Sequence, residues 1–222
     1  MSKLEAVILD WDGVLADSGP HVFEFQKSIC AKTGRSFPLK SYGDFRDKVF
    51  DPFPRFYQEV LGFDWERDKC WITNEFKVYM NPDKYVLQSG AKSFLSCFGN
   101  GVKLGIASSN LRDVIHAKLA AEGLDHVVKS IVGYSENIRP KPYPDALIEC
   151  ADALQVDTSH CLYVGDMPTD AHAARDAKMQ YALVSWGLKA PEYLIDENPN
   201  FFAQSFDDLL VYITQANHVS SI

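Results

Sequence analysis

The sequence predicts an α/β fold: a Rossmann-like core on a five-stranded parallel sheet, with a helical cap domain inserted after the first strand. Three observations carry that expectation. Short apolar runs of strand length alternate with stretches of helical periodicity, the pattern left by crossovers between parallel strands. Polar residues follow these runs directly, with no spacer. Residues 18–85 have a texture of their own, holding 15 of the chain's 28 aromatic residues in under a third of its 222 positions.

The first run, Val7-Ile8-Leu9, reads as a buried strand that stops at Asp10-Trp11-Asp12-Gly13. Two carboxylates spaced i, i+2 suit a core poorly, because burying like charges raises a pKa or demands a cation. The carboxyl edge of a parallel sheet is, by contrast, where ligands bind. Two chemistries fit the pair: a hard metal ion held by oxygens, or one carboxylate as nucleophile with the other as acid/base. An acidic turn closing a strand is the plain structural alternative.

Between residues 18 and 85 apolar residues recur at helical spacing, as in Val22, Phe25, Ile29 and again in Phe53, Phe56, Val60, with breaks at Gly34, Pro38, Pro52 and Gly62. The expectation is a small helical cap, 18–85, with its own core, on a body made of 1–17 and 86–222. The cap carries 11 Lys and Arg against 10 Asp and Glu, whereas the rest carries 11 against 20. A near-neutral lid over an acidic body is placed to supply cations to an anionic substrate.

In the body, strand 102–107 ends at Ser108-Ser109-Asn110. Asn110 suits the cap position of the next helix; alternatively Ser108, the Ser109 amide and Asn110 hold a phosphate at that helix's amino terminus. Strand 130–133 leads to Arg139-Pro140-Lys141-Pro142-Tyr143-Pro144, where three prolines restrict the backbone around one lysine. Strand 161–164 runs into Gly165-Asp166-Met167-Pro168-Thr169-Asp170, so Asp166 repeats the placement of Asp10, and Asp170 lies one helical turn beyond it. A fifth strand at 181–185 precedes what reads as a loop, 186–202, and a last helix capped by Ser205.

A net charge of −8 and a pI near 5.2 argue against a nucleic-acid or anionic-membrane surface. Five scattered cysteines without a CxxC pair fit reduced thiols, and no stretch has the roughly 20 apolar residues of a membrane span or the pattern of a secretory signal. The expectation is a cytoplasmic protein, monomer or homodimer, with no nucleic-acid or membrane partner.

Four polar clusters at one sheet edge, in this order, resemble the haloacid dehalogenase-like (HAD) hydrolase superfamily. DWDGVLADS matches its first motif, the Ser108 run its second, Lys141 its third and GDMPTD its fourth, so the resemblance spans essentially the whole chain. The insert looks like the superfamily's type-1 helical cap and the body looks like the phosphoglycolate phosphatase group. The resemblance implies a Mg²⁺-dependent phosphatase acting on a small phosphomonoester, phosphoglycolate-like or a sugar phosphate. It makes Asp10 the nucleophile that becomes an aspartyl-phosphate and Asp12 the acid/base. It assigns Mg²⁺ to Asp10, the Asp12 main-chain carbonyl, Asp166 and Asp170, and the phosphoryl oxygens to Ser108, Ser109, Asn110 and Lys141. A sugar phosphomutase of the same superfamily is the alternative, weakened because His21 sits one residue from the expected histidine. A non-catalytic metal-binding regulatory protein is disfavoured because no motif is missing.

Overall fold

The computed structural model describes residues 3–49, 52–98, 101–135 and 137–219. Its six strands are β1 (Ala6–Leu9), β2 (Lys103–Ala107), β3 (Val128–Val132), β4 (Cys161–Gly165), β5 (Gln180–Val184) and β6 (Phe201–Ala203). They form one sheet in the order β3-β2-β1-β4-β5-β6, with every pairing parallel. The chain builds outward from β1 to β3, then crosses back to β4 and builds the other way. The reversal falls between β1 and β4, the position at which open α/β sheets leave a crevice at their carboxyl edge.

Every residue of β1 is buried, and alternate residues serve opposite faces. Val7 and Leu9 belong to one hydrophobic cluster with Ile106, Leu162 and Val164, while Ala6 and Ile8 belong to the other with Leu147, Tyr163 and Leu183. Helices cover both faces: α5 (Ala91–Ser96), α6 (Arg112–Ala121), α7 (Asp145–Leu154), α8 (Pro168–Asp176) and α9 (Phe206–Val219) connect or follow the strands.

The sheet has six strands, not the five expected. β6 was read as part of loop 186–202; it is only three residues long, follows the turn-forming Asn198-Pro199-Asn200, and forms at the sheet edge because Phe201 and Phe202 pair with Ala182 and Leu183 of β5. Ser205 does accept from the Asp208 amide at 3.1 Å, as an amino-terminal cap of α9 should.

Between β1 and α5 lie four helices among the described residues: α1 (Gly19–Lys32), α2 (Tyr42–Lys48), α3 (Phe53–Glu59) and α4 (Trp65–Tyr79). Their starts follow local rules, with Pro20 in the first turn of α1, a reciprocal Ser41/Asp44 box on α2 and Asp64 accepting from the Arg67 amide on α4. Aromatic side chains join them, Phe25 to Phe76 with centroids 5.2 Å apart and Phe45 to Phe56 at 5.9 Å. Such edge-on pairs each contribute about 0.5–1.5 kcal/mol beyond simple burial. The chain enters and leaves this layer as an antiparallel pair: Asp17 N donates to Val86 O, and Gln88 N to Leu15 O, both at 2.8 Å.

Candidate active site

Each motif residue stands just past a strand's carboxyl end: Asp10 after β1, Ser108 after β2, Asp166 after β4. Asp10 is 5% exposed, Lys141 5%, and Asp166 and Asp170 are fully buried. Lys141 reaches in from the proline-rich loop after β3, and its Nζ donates to Asp10 Oδ2 at 2.7 Å and Asp170 Oδ1 at 2.6 Å. The ammonium thus stands between two carboxylates that would otherwise repel. Tyr163 of β4 joins them, its hydroxyl 3.2 Å from Lys141 Nζ and 3.1 Å from Asp170 Oδ1.

Asp170 also accepts from the backbone amides of Asp166 and Met167, both at 2.9 Å, which fixes the start of α8. One oxygen of Asp166 accepts from the Leu188 amide; the other, Oδ1, is buried with no hydrogen-bond partner among the described residues. Two glycines make room for this carboxylate. A Cβ on Gly13, whose φ is +81°, would sit 2.1 Å from Asp166 Oδ2, and one on Gly187 would sit 2.1 Å from Asp166 Cβ.

One oxygen each from Asp10, Asp166 and Asp170 lie within 4.8 Å of one another. Three carboxylates, one of them with a buried oxygen that has no hydrogen-bond partner, fit an oxygen-loving divalent cation, and among the described residues no His or Cys joins them to favour zinc. Burial also pushes the Asp10 carboxyl up to about 7 against the pull of Lys141, and it raises Asp166 well above the usual carboxylate range. A divalent cation held there would favour the ionised carboxylates and offset the cost of burying them.

Asp12 is half-buried, and burial raises its pKa as well. It lines a solvent-open cleft of about 310 Å³ with Asp10, Ser108, Ser109 and Lys141. Ser109 is exposed and lines both this cleft and a second one shared with Ser108, Lys141, Tyr134 and Arg139.

Asn110 departs from the helix-cap reading. The residue before α6 is Leu111, so Asn110 is not the helix cap. Its side chain is 3% exposed and turned inward, where Nδ2 donates to Asp12 Oδ2 at 2.8 Å and to the Tyr85 hydroxyl at 2.6 Å while Oδ1 accepts from the Leu111 amide. Both amide hydrogens are therefore spent on the protein.

Sequence reasoning also missed Tyr163, Leu188 and Tyr85. A tyrosine in a buried parallel strand must find a partner for its hydroxyl, which was the available signal for Tyr163. A main-chain donor such as Leu188 leaves no trace in residue type. One cation of the 18–85 insert is bonded within the protein. Arg46 of α2 donates to the carbonyls of Gly187 and Leu188 at 3.2 and 3.0 Å, and Lys189 donates back to the carbonyls of Arg46, Asp47 and Val49.

Acidic oxygens and the buried Lys141 thus gather at the switch point of a doubly wound sheet, where open α/β folds hold their ligands. Residues 4–178 match the model of the haloacid dehalogenase-like hydrolases, and the chain belongs to that family. A protein of Caldanaerobacter subterraneus subsp. tengcongensis, provisionally named pyrophosphatase PpaX, is 25% identical over 220 residues, 95% of each chain. Pyrophosphatase PpaX of Listeria welshimeri is 30% identical over 111 residues, which is 50% of this chain and 51% of that one. The fold also matches a solved structure described as a predicted phosphatase from Clostridium acetobutylicum, with a TM-score of 0.83 and 21% identity over 96% of this chain and 100% of that one. A predicted phosphoglycolate phosphatase from Haemophilus somnus matches with a TM-score of 0.78 and 18% identity over 96% and 99%.

Proposed function

We propose that this hydrolase is a Mg²⁺-dependent phosphatase that cleaves a small phosphomonoester, phosphoglycolate-like or a sugar phosphate, through an aspartyl-phosphate on Asp10. The observation that carries the reading is Lys141 Nζ at 2.7 Å from Asp10 Oδ2, with the Asp12 carboxylate and Ser108 lining the same cleft. A carboxylate nucleophile, a second carboxyl group for proton transfer and a cation for the transferring oxygens are what phosphoryl transfer requires. The names of the PpaX relatives support the same class of chemistry.

In this reading an Asp10 oxygen attacks phosphorus as the bond to the leaving oxygen breaks, and Asp12 gives that oxygen its proton. Asp12, now a carboxylate, takes a proton from water as the water attacks the aspartyl-phosphate, which releases phosphate and restores Asp10. Lys141 and Ser108 hold the transferring oxygens; Asn110 holds Asp12. Asp10, the Asp12 main-chain carbonyl, Asp166 and Asp170 would hold Mg²⁺, which when bound offsets the repulsion between anionic nucleophile and anionic ester.

Residues 18–85 act as a cap that closes over the cleft, with 1–17 and 86–222 as the body, and closure excludes bulk water and large substrates. Among the described residues no helix is long and apolar enough to cross a membrane, which accords with a cytoplasmic enzyme of small metabolites. The experiment is a phosphate-release screen of small phosphomonoesters with Mg²⁺ and after exhaustive EDTA treatment. Metal-dependent turnover is expected. Full activity after EDTA treatment would remove the metal, and no turnover of any ester would remove the phosphatase.

A further inference from the structure

The cleft above Asp10 and Asp12 has a one-sided charge. Its described lining includes three carboxylates, of Asp10, Asp12 and Asp166, and one cation, Lys141, which is already bonded to Asp10 and Asp170. The apolar lining consists of Phe53, at the start of α3, with Met167 and Leu188. Phe53 is half-buried and packed edge-on against Phe56, with centroids 6.5 Å apart.

Four basic groups on the elements and loops around the cleft are bonded elsewhere. Arg46 and Lys189 are spent on main-chain carbonyls across the seam between α2 and the loop after β5. Arg55 of α3 pairs with Glu59. Arg139, in the adjoining cleft beyond Ser108 and Lys141, forks onto Asp145 at 2.8 and 2.9 Å. A metal ion and Lys141 suffice for one phosphoryl group. Once the proposed cap closure excludes bulk water, a second anion on the same substrate would stand beside Phe53 and several carboxylates with Lys141 as the one cation in the described lining, an arrangement that costs more than burying a neutral group.

Taking the phosphatase reading as its premise and narrowing it to the second of its two substrate classes, we propose that the substrates are phosphomonoesters of small neutral alcohols, polyols or sugars, and that Phe53 is the specificity-determining residue that rejects a second anion. Neutral carbon and hydroxyl groups pack on Phe53, Met167 and Leu188, whereas the carboxylate of a phosphoglycolate or the second phosphate of a pyrophosphate does not. The same position would favour such anions if it carried a cation.

The test compares kcat/KM, by phosphate release with Mg²⁺, for 2-hydroxyethyl phosphate and 2-phosphoglycolate, which differ chiefly in a hydroxyl against a carboxylate, with pyrophosphate as a third probe. The neutral ester is expected to be at least tenfold better than either anionic one. A ratio below tenfold would overturn the proposal. Phe53→Arg is expected to shift the ratio of the first two esters at least tenfold toward phosphoglycolate, chiefly through KM; an unchanged ratio in a variant with a wild-type circular-dichroism spectrum would remove Phe53 from the role. The wild-type comparison stands without the variant. Failure of the phosphatase reading looks different: neither these esters nor p-nitrophenyl phosphate would turn over, and both proposals would fall together.

Discussion

Lys141 Nζ donates to Asp10 Oδ2 at 2.7 Å, and both side chains are almost wholly buried although they lie 131 residues apart in the chain. In the proposed mechanism a lysine so placed neutralises charge at the point where an anionic nucleophile meets an anionic ester. Lys141→Met keeps the stem's volume and removes the charge. We expect kcat to fall by about 10²–10³, the usual loss for one electrostatic stabiliser. Mg²⁺ binding, followed by calorimetric titration, should persist because the carboxylates remain. Loss of metal binding with the fold intact would mean that Lys141 organises the metal ligands rather than the transferring group.

The two aspartates should separate by leaving group. Asp12→Asn removes proton transfer, a step worth about 10²–10⁴ in rate. An activated aryl phosphate needs little protonation to depart, so its first step should suffer less than that of an alkyl phosphate, while hydrolysis of the phosphoenzyme is slowed for both. Single-turnover release of alcohol and of phosphate, measured separately, checks this. Equal slowing of the first step for both esters would show that Asp12 is not the acid/base.

The metal-free protein should lose stability as pH rises through neutrality. Burial raises the Asp10 pKa from 3.8 in an exposed carboxyl to about 7, and raises Asp166 too, so the folded state holds protons that the unfolded chain has released. That contribution is full below pH 4 and is lost as pH climbs through about 7. Mg²⁺ binds the ionised forms, so the gain in Tm on adding Mg²⁺ should be larger at pH 8 than at pH 5.5. Thermal melts at the two pH values with and without Mg²⁺ decide it; equal gains would contradict the assignment of these carboxylates to the metal.

Arg46 and Lys189 form a reciprocal clasp between α2 and the loop that also sends the Leu188 amide to Asp166. Replacing either with Met strands carbonyls that now accept charged donors, and each should cost about 1–3 kcal/mol. Because both grip the same seam, the double variant should cost less than the two single losses added. Urea unfolding of the four proteins provides the cycle. Strict additivity would mean that the two contacts act independently.

What could be read beforehand follows from where side-chain chemistry coincides with strand ends. Asp10, Ser108 and Asp166 each directly follow a buried apolar run, so topology alone sends them to one edge. Lys141 was legible through the prolines around it. β6 was not, because three residues beside a turn carry no periodicity and their pairing depends on β5 being there first. Asn110 was placed but not oriented, since an amide that can cap, bind phosphate or hold Asp12 looks the same in one dimension. Arg46 reads only as one of the insert's pooled cations and Lys189 carries no sequence signal, and only the folded seam shows their charges spent on carbonyls.

The central claim is a covalent intermediate on Asp10. Its most direct test is mass spectrometry of Asp12→Asn after rapid mixing with p-nitrophenyl phosphate and Mg²⁺, followed by acid quench and peptide mapping. The account predicts a mass increase of one phosphoryl group, mapped to the peptide carrying Asp10 and absent from the Asp10→Asn, Asp12→Asn double variant. Phosphorylation mapped to another residue, or p-nitrophenol release by the double variant at the rate of Asp12→Asn, would contradict it.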